Sequence, residues 1–425
     1  MNVGVAQLDI TPQPGIDLAG FANRPQPSSA ILDALWVRAL YLEDGPERFL
    51  WLHADLLAFD QSLADRLRRS LSAEFALPVS HVLLSATHTH SGPATIQLTG
   101  CGQVSPGYLQ SMERQLRAAA ALALRETETC RLVAAEGACS LAIDRRRFAS
   151  AHTDPRVGAL AWQRRDGTFK AALLVYAMHP VCLRGGLISA DWPGEAAGML
   201  SESLPGRPVS LVSSGACGNI NPPAVGVTPE EMRQFGRSVA GSVLPLLLQA
   251  GKEPALDDGW FHLRADTVDL PVEAWSLSEI NRYAESCLAD GSRHHHFGDK
   301  FAPAVETWRA RMAERLQRGE PPHTRAELTA VMFGPASVLA VNAEAFSRFA
   351  ALAGTDASNP VYAMNCANGM LGYLPAAEAY AEGGYEVCWS MLFYNLPRPR
   401  QGALELLAQR ARRLTAGADS RRGHG

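Results

Sequence analysis

The sequence predicts an α/β fold, with α+β as the alternative: mixed sheets, flanking helices and a single metal site at strand ends. Three observations carry this. Short apolar runs of strand character alternate loosely with helix-period segments. Neither an internal repeat nor a composition shift marks a clean boundary, so residues 1–425 read as one domain. And histidines stand where apolar runs stop, at His88, His90 and His179.

Taken in order, Val3 to Ile10 alternates as a strand, and Gly15 to Ser29 is a Gly/Pro-rich loop. Leu35–Leu42 and Arg48–His53 read as strands joined by the turn Glu43-Asp44-Gly45-Pro46. Ser62–Phe75 and Gly107–Arg125 have helical period, and between them Val82-Leu83-Leu84 is a buried strand. Arg131–Ile143 and Val157–Tyr176 read as longer strands, separated by the basic turn Asp144-Arg145-Arg146-Arg147, and Pro208–Ser213 as another buried one. Thr228–Ala250 is expected as one long helix opened by a Thr228/Glu231 capping box. From 257 to 325 the character changes. A short strand at Asp266–Leu270 precedes two amphipathic helices, Ser276–Ala289 and Phe301–Arg318, read as a helical insertion or lid. Leu328–Val341 returns to two short strands, Val361–Met364 is another, and Gly402–Leu414 is a closing helix. Residues 417–425 are expected to fray.

Composition narrows the function. Hydrophobic residues make up 47% and charged residues 19%, enough for a large core. The 39 basic and 43 acidic residues leave a net charge of −4, which argues against a nucleic-acid binder. The eight cysteines form no CxxC pair, so they are read as reduced, without a disulfide framework. No apolar run reaches membrane-spanning length, and the N-terminus lacks the pattern of a secretion signal. A cytoplasmic location is the expectation; oligomeric state is not readable.

The chemistry gathers in five segments. Ser85-Ala-Thr-His88-Thr-His90-Ser-Gly-Pro93 ends a buried strand with two imidazoles at i and i+2, on one side of an extended chain. They suit either a transition metal or a pair of hydrogen-bonded histidines. His179, after the strand Ala171–Val175, is biased to extended backbone by Pro180; nearby Asp191 is either an acceptor orienting a ligand histidine or a helix N-cap. Ser213-Ser-Gly-Ala-Cys-Gly-Asn-Ile-Asn221 is a small-residue loop that lets backbone approach a ligand, with Cys217 as a nucleophile or an inert buried thiol. Glu344, between apolar residues, is either buried with a cationic partner or exposed at a helix start. Tyr373 and Tyr385 lie in Gly-rich loops. The triplet His294-His295-His296 reads as a solvated loop or a metal site.

These segments, in this order, resemble the catalytic domain of the neutral/alkaline (non-lysosomal) ceramidase family, and SATHTHSGP is the most specific of them. The resemblance runs from Val3 to Tyr385. It implies one catalytic Zn2+ held by His88, His179, Glu344 and Tyr373. It places His90, Arg145 and Tyr385 around the substrate. Where the family carries the serine treated as catalytic, this chain has Asn221. The expectation is therefore hydrolysis of an amide C–N bond by zinc-activated water, with His90 moving the proton and Arg145, Tyr385 and Asn221 holding the oxyanion. A small amide is the expected substrate rather than ceramide, with an ester or lactam, or a ligand-binding role without catalysis, as alternatives. The chain also reads as a short bacterial-type member without the family's C-terminal immunoglobulin-like domain.

Overall fold

A computed structural model describes residues 1–425 except Asn23, Pro25, 254–259, 290–296, Pro335, 355–358 and 417–425. The His294–His296 triplet and the tail thus lie outside the described residues.

Eight strands form one strongly curved sheet: β1 (Asn2–Asp9), β2 (Trp36–Asp44), β3 (Glu47–Ala54), β4 (Val82–Ala86), β5 (Thr127–Ala138), β6 (Arg156–Arg164), β7 (Phe169–Tyr176) and β8 (Val209–Ser213). Their order is β8-β7-β6-β5-β1-β2-β3-β4. Strand β5 turns the corner: Thr127–Thr129 pair with β1, and Cys130–Ala138 pair with β6. A second sheet has the order β9 (Phe261–Pro271), β10 (His323–Phe333), β11 (Ser337–Val341), β12 (Val361–Met364). Both halves of the first sheet and one face of the second share a core that includes Trp51, Leu83, Trp162, Leu211, Phe333 and Met364.

The outer faces are covered by helices, as expected of strands that are apolar on both sides. Helices α1 (Gln61–Phe75) and α2 (Pro106–Arg125) pack on the β1–β4 half. Helices α3 (Asp191–Ser203), α4 (Pro229–Gly241) and α5 (Leu244–Ala250) pack on the β5–β8 half. Helices α6 (Leu277–Ala289) and α7 (Phe301–Gln317) bury Ile280, Phe301 and Trp308 in the same core as α1 and α2. Helices α8 (Arg348–Ala353) and α9 (Ala403–Thr415) cover the second sheet. Among the described residues no helix is long and apolar enough to cross a membrane.

Several expected elements differ. The single strand over Val157–Tyr176 is a hairpin, β6–β7. Gly167 at φ +86° turns the chain, and the Asp166 carboxylate accepts from the Thr168 N–H. The long helix over Thr228–Ala250 breaks between Gly241 and Leu244, because Pro245 lacks an N–H and its ring would meet the carbonyl of Gly241. The capping box at Thr228 and Glu231 is present. The segment 257–325 is only partly an insertion: β9 and β10 pair in an unbroken antiparallel register from Phe261↔Phe333 to Pro271↔His323, and α6 and α7 lie between them.

What positions the site is the connectivity. Within these two sheets antiparallel pairing dominates, but three pairs among the described residues are parallel: β3 with β4, β7 with β8, and β11 with β12. The curvature brings their carboxyl ends together. The Ala86 amide donates to the Cys366 carbonyl, the Asn365 amide to Gly215, and the Cys366 amide to Ala343. The loops leaving these strands carry the chemistry-bearing residues.

Candidate metal centre

Strand β4 ends at Ala86, and the Thr87 and His88 amides go on to donate to the Ala54 and Leu56 carbonyls. His88 itself has φ +70°, a left-handed backbone that a non-glycine residue adopts at a cost of about 1–3 kcal/mol. His88 and His90 are therefore not two positions of one extended strand; a sharp turn aims them instead. The His88 ring donates from Nδ1 to the Leu57 carbonyl (2.8 Å), and the His179 ring donates from Nδ1 to the Cys217 carbonyl (2.6 Å). A carbonyl only accepts, so each Nδ1 carries the ring proton. With the proton on Nδ1, each Nε2 is the nitrogen that can offer a lone pair to a metal. The two Nε2 atoms lie 3.2 Å apart.

Glu344 completes a triangle. Its Oε2 is 3.2 Å from His88 Nε2 and 3.1 Å from His179 Nε2, and its Oε1 accepts from the Tyr394 hydroxyl. Residues Glu344–Ala345 pair in parallel with Tyr373–Leu374, in the register Glu344↔Tyr373, which sets the two side chains beside each other. Tyr373 stacks on the His179 ring at 6.4 Å, and the Arg145 guanidinium lies near the Tyr373 ring. Burial alone would raise the Glu344 carboxyl; the His88 and His179 imidazoles outweigh that and hold it well below the carboxylate range. Burial lowers His179 to about 4, and the Glu344 hydrogen bond only partly offsets this. Three buried acceptors facing one point repel one another unless a cation or a shared proton lies between them.

His90 is the third imidazole here: the ligating nitrogens of His88, His90 and His179 lie within 4.8 Å of one another. The Glu344 oxygen is closer than that to both other rings, and it brings the negative charge a divalent ion needs. Both His90 ring nitrogens are buried without a hydrogen-bond partner. Burial, then His88 and His179, hold this ring well below the usual histidine value, so it is neutral. Gly20, at φ +98°, makes room for it: a Cβ there would stand 2.3 Å from His90 Nδ1.

Arg145 lies beside the triangle, with its guanidinium 5.4 Å from the Tyr373 ring centroid. It donates to Glu386 Oε1 (2.7 Å), Asn221 Oδ1 (3.1 Å) and the Gly218 carbonyl (2.8 Å). Because Asn221 spends its oxygen on Arg145, its amide nitrogen remains as a donor. Tyr385 follows Gly383 and Gly384, both at positive φ, and its phenol is pushed well above its ordinary value by burial. His90, Arg145, Asn221, Tyr373 and Tyr385 all line a cavity of about 800 Å³.

Two expectations resolve as structure rather than chemistry. Asp191 does not orient a ligand histidine, since both Nδ1 atoms are taken by carbonyls. Its carboxylate instead accepts from the Trp192 and Leu183 amides, which ties the start of α3 to the loop after His179. The Cys217 thiol is fully buried and pushed up to about 12 by burial, so no thiolate is present near neutrality. The residues that sequence reasoning passed over are Tyr394, which anchors Glu344, and Glu386, which anchors Arg145 and Arg146. Glu386 adjoins Tyr385, and an acid next to a candidate tyrosine was the available signal. Tyr394 had none.

The neutral/alkaline non-lysosomal ceramidase N-terminal family model matches residues 1–130. Over those residues the chain is similar to the neutral/alkaline ceramidase family. The fold of the chain matches the crystal structure of neutral ceramidase from Pseudomonas aeruginosa with a TM-score of 0.73, at 16% identity, over 97% of this chain and 73% of that one. A ceramidase complexed with C2 matches with a TM-score of 0.71, at 15% identity, over 97% and 74% of the two chains. At such identities the likeness is one of fold. The family match spans His88 and His90, whereas His179, Glu344 and Tyr373 rest on the geometry above.

Proposed function

We propose that this ceramidase-like chain is a zinc-dependent hydrolase cleaving an amide C–N bond, its ion held by His88, His179, Glu344 and Tyr373. The observation that carries the reading is the triangle of two Nε2 atoms and one carboxylate oxygen, with edges of 3.1–3.2 Å. A tetrahedral zinc with ligands at about 2.0–2.1 Å needs ligand-to-ligand separations of about 3.3 Å, so the donor set fits. Tyr373, in register beside Glu344, supplies the phenolic oxygen of a mixed N/O set.

When bound, zinc polarises a carbonyl and lowers the pKa of a water toward ~7. The chain's own residues do the rest. His90, neutral and with neither ring nitrogen engaged, takes a proton from water and returns it to the departing nitrogen. The Asn221 amide, the Tyr385 hydroxyl and the fixed charge of Arg145 stabilise negative charge growing on the carbonyl oxygen; one such donor is typically worth roughly 3 kcal/mol. Since Asn221 offers no nucleophilic hydroxyl, water is the attacking species. The cavity volume suits a small amide, and an ester or lactam would present the same carbonyl.

The test is metal analysis joined to a hydrolysis screen. His88→Ala and His179→Ala are expected to lose zinc and activity together, against N-acyl amines of varied chain length, esters and lactams. A variant that keeps full zinc stoichiometry would remove that residue from the ligand set. Full zinc with no hydrolysis in the wild type would favour a ligand-binding relative.

A further inference from the structure

The cavity wall is cationic although the chain carries a net charge of −4. Arg145, Arg146 and Arg184 line it against a single carboxylate in the same wall, Glu386, which Arg145 and Arg146 already share at 2.7 Å each. Arg184 is left over. It is exposed, and among the described residues it has no carboxylate partner. Its guanidinium lies 5.3 Å from the centroid of the Phe21 ring, and Arg24 approaches the same ring at 5.4 Å. Arg24 is mostly buried, is likewise without a carboxylate among the described residues, and donates to the Gly185 and His90 carbonyls; its Nε has no partner. Two cations close to one ring of the cavity wall, neither paired with a carboxylate among the described residues, leave a charge deficit.

Beside Tyr385 the cavity has an aromatic wall. Phe21 touches His90 at 5.1 Å, whereas Phe297 touches Tyr385 at 5.6 Å and Phe393 at 5.1 Å, so the cationic rim joins the His90 side and the aromatic wall joins the Tyr385 side. Building on the amidase reading, we infer that the substrate is an N-acyl amino acid, its carboxylate bound by Arg184 with Arg24 behind it and its acyl chain lying on the Phe297/Phe393 wall. The reaction consumes one water. The acyl C–N bond breaks, a C–O bond forms, and the proton passes to the amino nitrogen, which gives a free carboxylic acid and a free amino acid.

The experiment compares zinc-loaded wild type and Arg184→Ala on N-octanoyl-L-alanine and its neutral counterpart N-octanoyl-L-alaninamide, following octanoate release. In parallel, calorimetry follows binding of the hydrolysis-resistant N-octylsulfonyl-L-alanine. Wild type is expected to favour the acid at least tenfold in kcat/KM. Arg184→Ala should cut that ratio about tenfold and weaken sulfonamide binding by a similar factor, and Arg184→Lys should restore part of both. Hydrolysis of the neutral amide at an equal rate, with a ratio that Arg184→Ala leaves unchanged, would overturn the inference and leave the amidase reading standing. Arg184-dependent binding with neither amide hydrolysed would sustain the anion site and overturn the amidase reading.

Discussion

His88 and Asp191 both sit at positive φ, 70° and 57°, without being glycine. Strain of about 1–3 kcal/mol at each is tolerable because the surrounding strands bury many apolar side chains, each contributing roughly 1.5–3 kcal/mol. At His88 the strained turn delivers a ring nitrogen to the cluster. Gly20 serves the neighbouring ring in a different way, by lacking a side chain. Gly20→Ala is expected to destabilise the fold by about 1–3 kcal/mol, through its φ of +98°, and to push the His90 ring aside. Activity should fall at least tenfold while zinc content, measured by metal analysis, stays near that of wild type. If zinc falls in step with activity, His90 would be a ligand rather than a neighbour.

At the scale of elements, α3 is the informative case. It opens on Asp191, whose carboxylate caps the Trp192 amide and reaches back to Leu183. Burial raises this carboxyl from its ordinary 3.8 to about 6. A folded value above the unfolded one means that the fold favours the neutral acid. That contribution is complete below pH 3.8 and is lost as pH rises through 6. Asp191→Asn keeps a neutral side chain at every pH. The stability gap between variant and wild type, from denaturant midpoints, is therefore expected to move in the variant's favour by about 3 kcal/mol between pH 4 and 8. A gap that does not move would mean an ordinary, solvated carboxyl. Other elements were legible to the degree that local chemistry set them. The Thr228/Glu231 box started α4 where expected, because capping is local. The turn at Asp166-Gly167 and the break at Pro245 were equally local signals, yet the apolar runs around them read as continuous.

At the scale of the molecule, the cluster exists because three parallel strand pairs end at one place. Three acceptors at 3.1–3.2 Å need a cation or a shared proton between them, and the proposed zinc would be that cation. Thermal melting should therefore depend on zinc. At a free concentration about 1,000 times Kd the ion adds about 4 kcal/mol, and a chelator should lower Tm and abolish hydrolysis. Glu344→Gln should remove most of that zinc dependence. Identical melting curves with and without chelator would mean that the triangle is held by a shared proton instead.

By itself the sequence determined that histidines, an acid and tyrosines end apolar runs, and the order of those segments was enough to point to a family. Residue type, turn chemistry and strand character are properties of a few neighbouring residues, and so they are written locally. Only the tertiary structure decided that His88, His179 and Glu344 meet at 3.1–3.2 Å, that backbone carbonyls and not Asp191 fix the imidazoles, and that among the described residues Arg184 lacks an acid while Arg145 and Arg146 share one. Those facts depend on sheet curvature and strand order. Both arise from packing many side chains around one core, so no single segment records them.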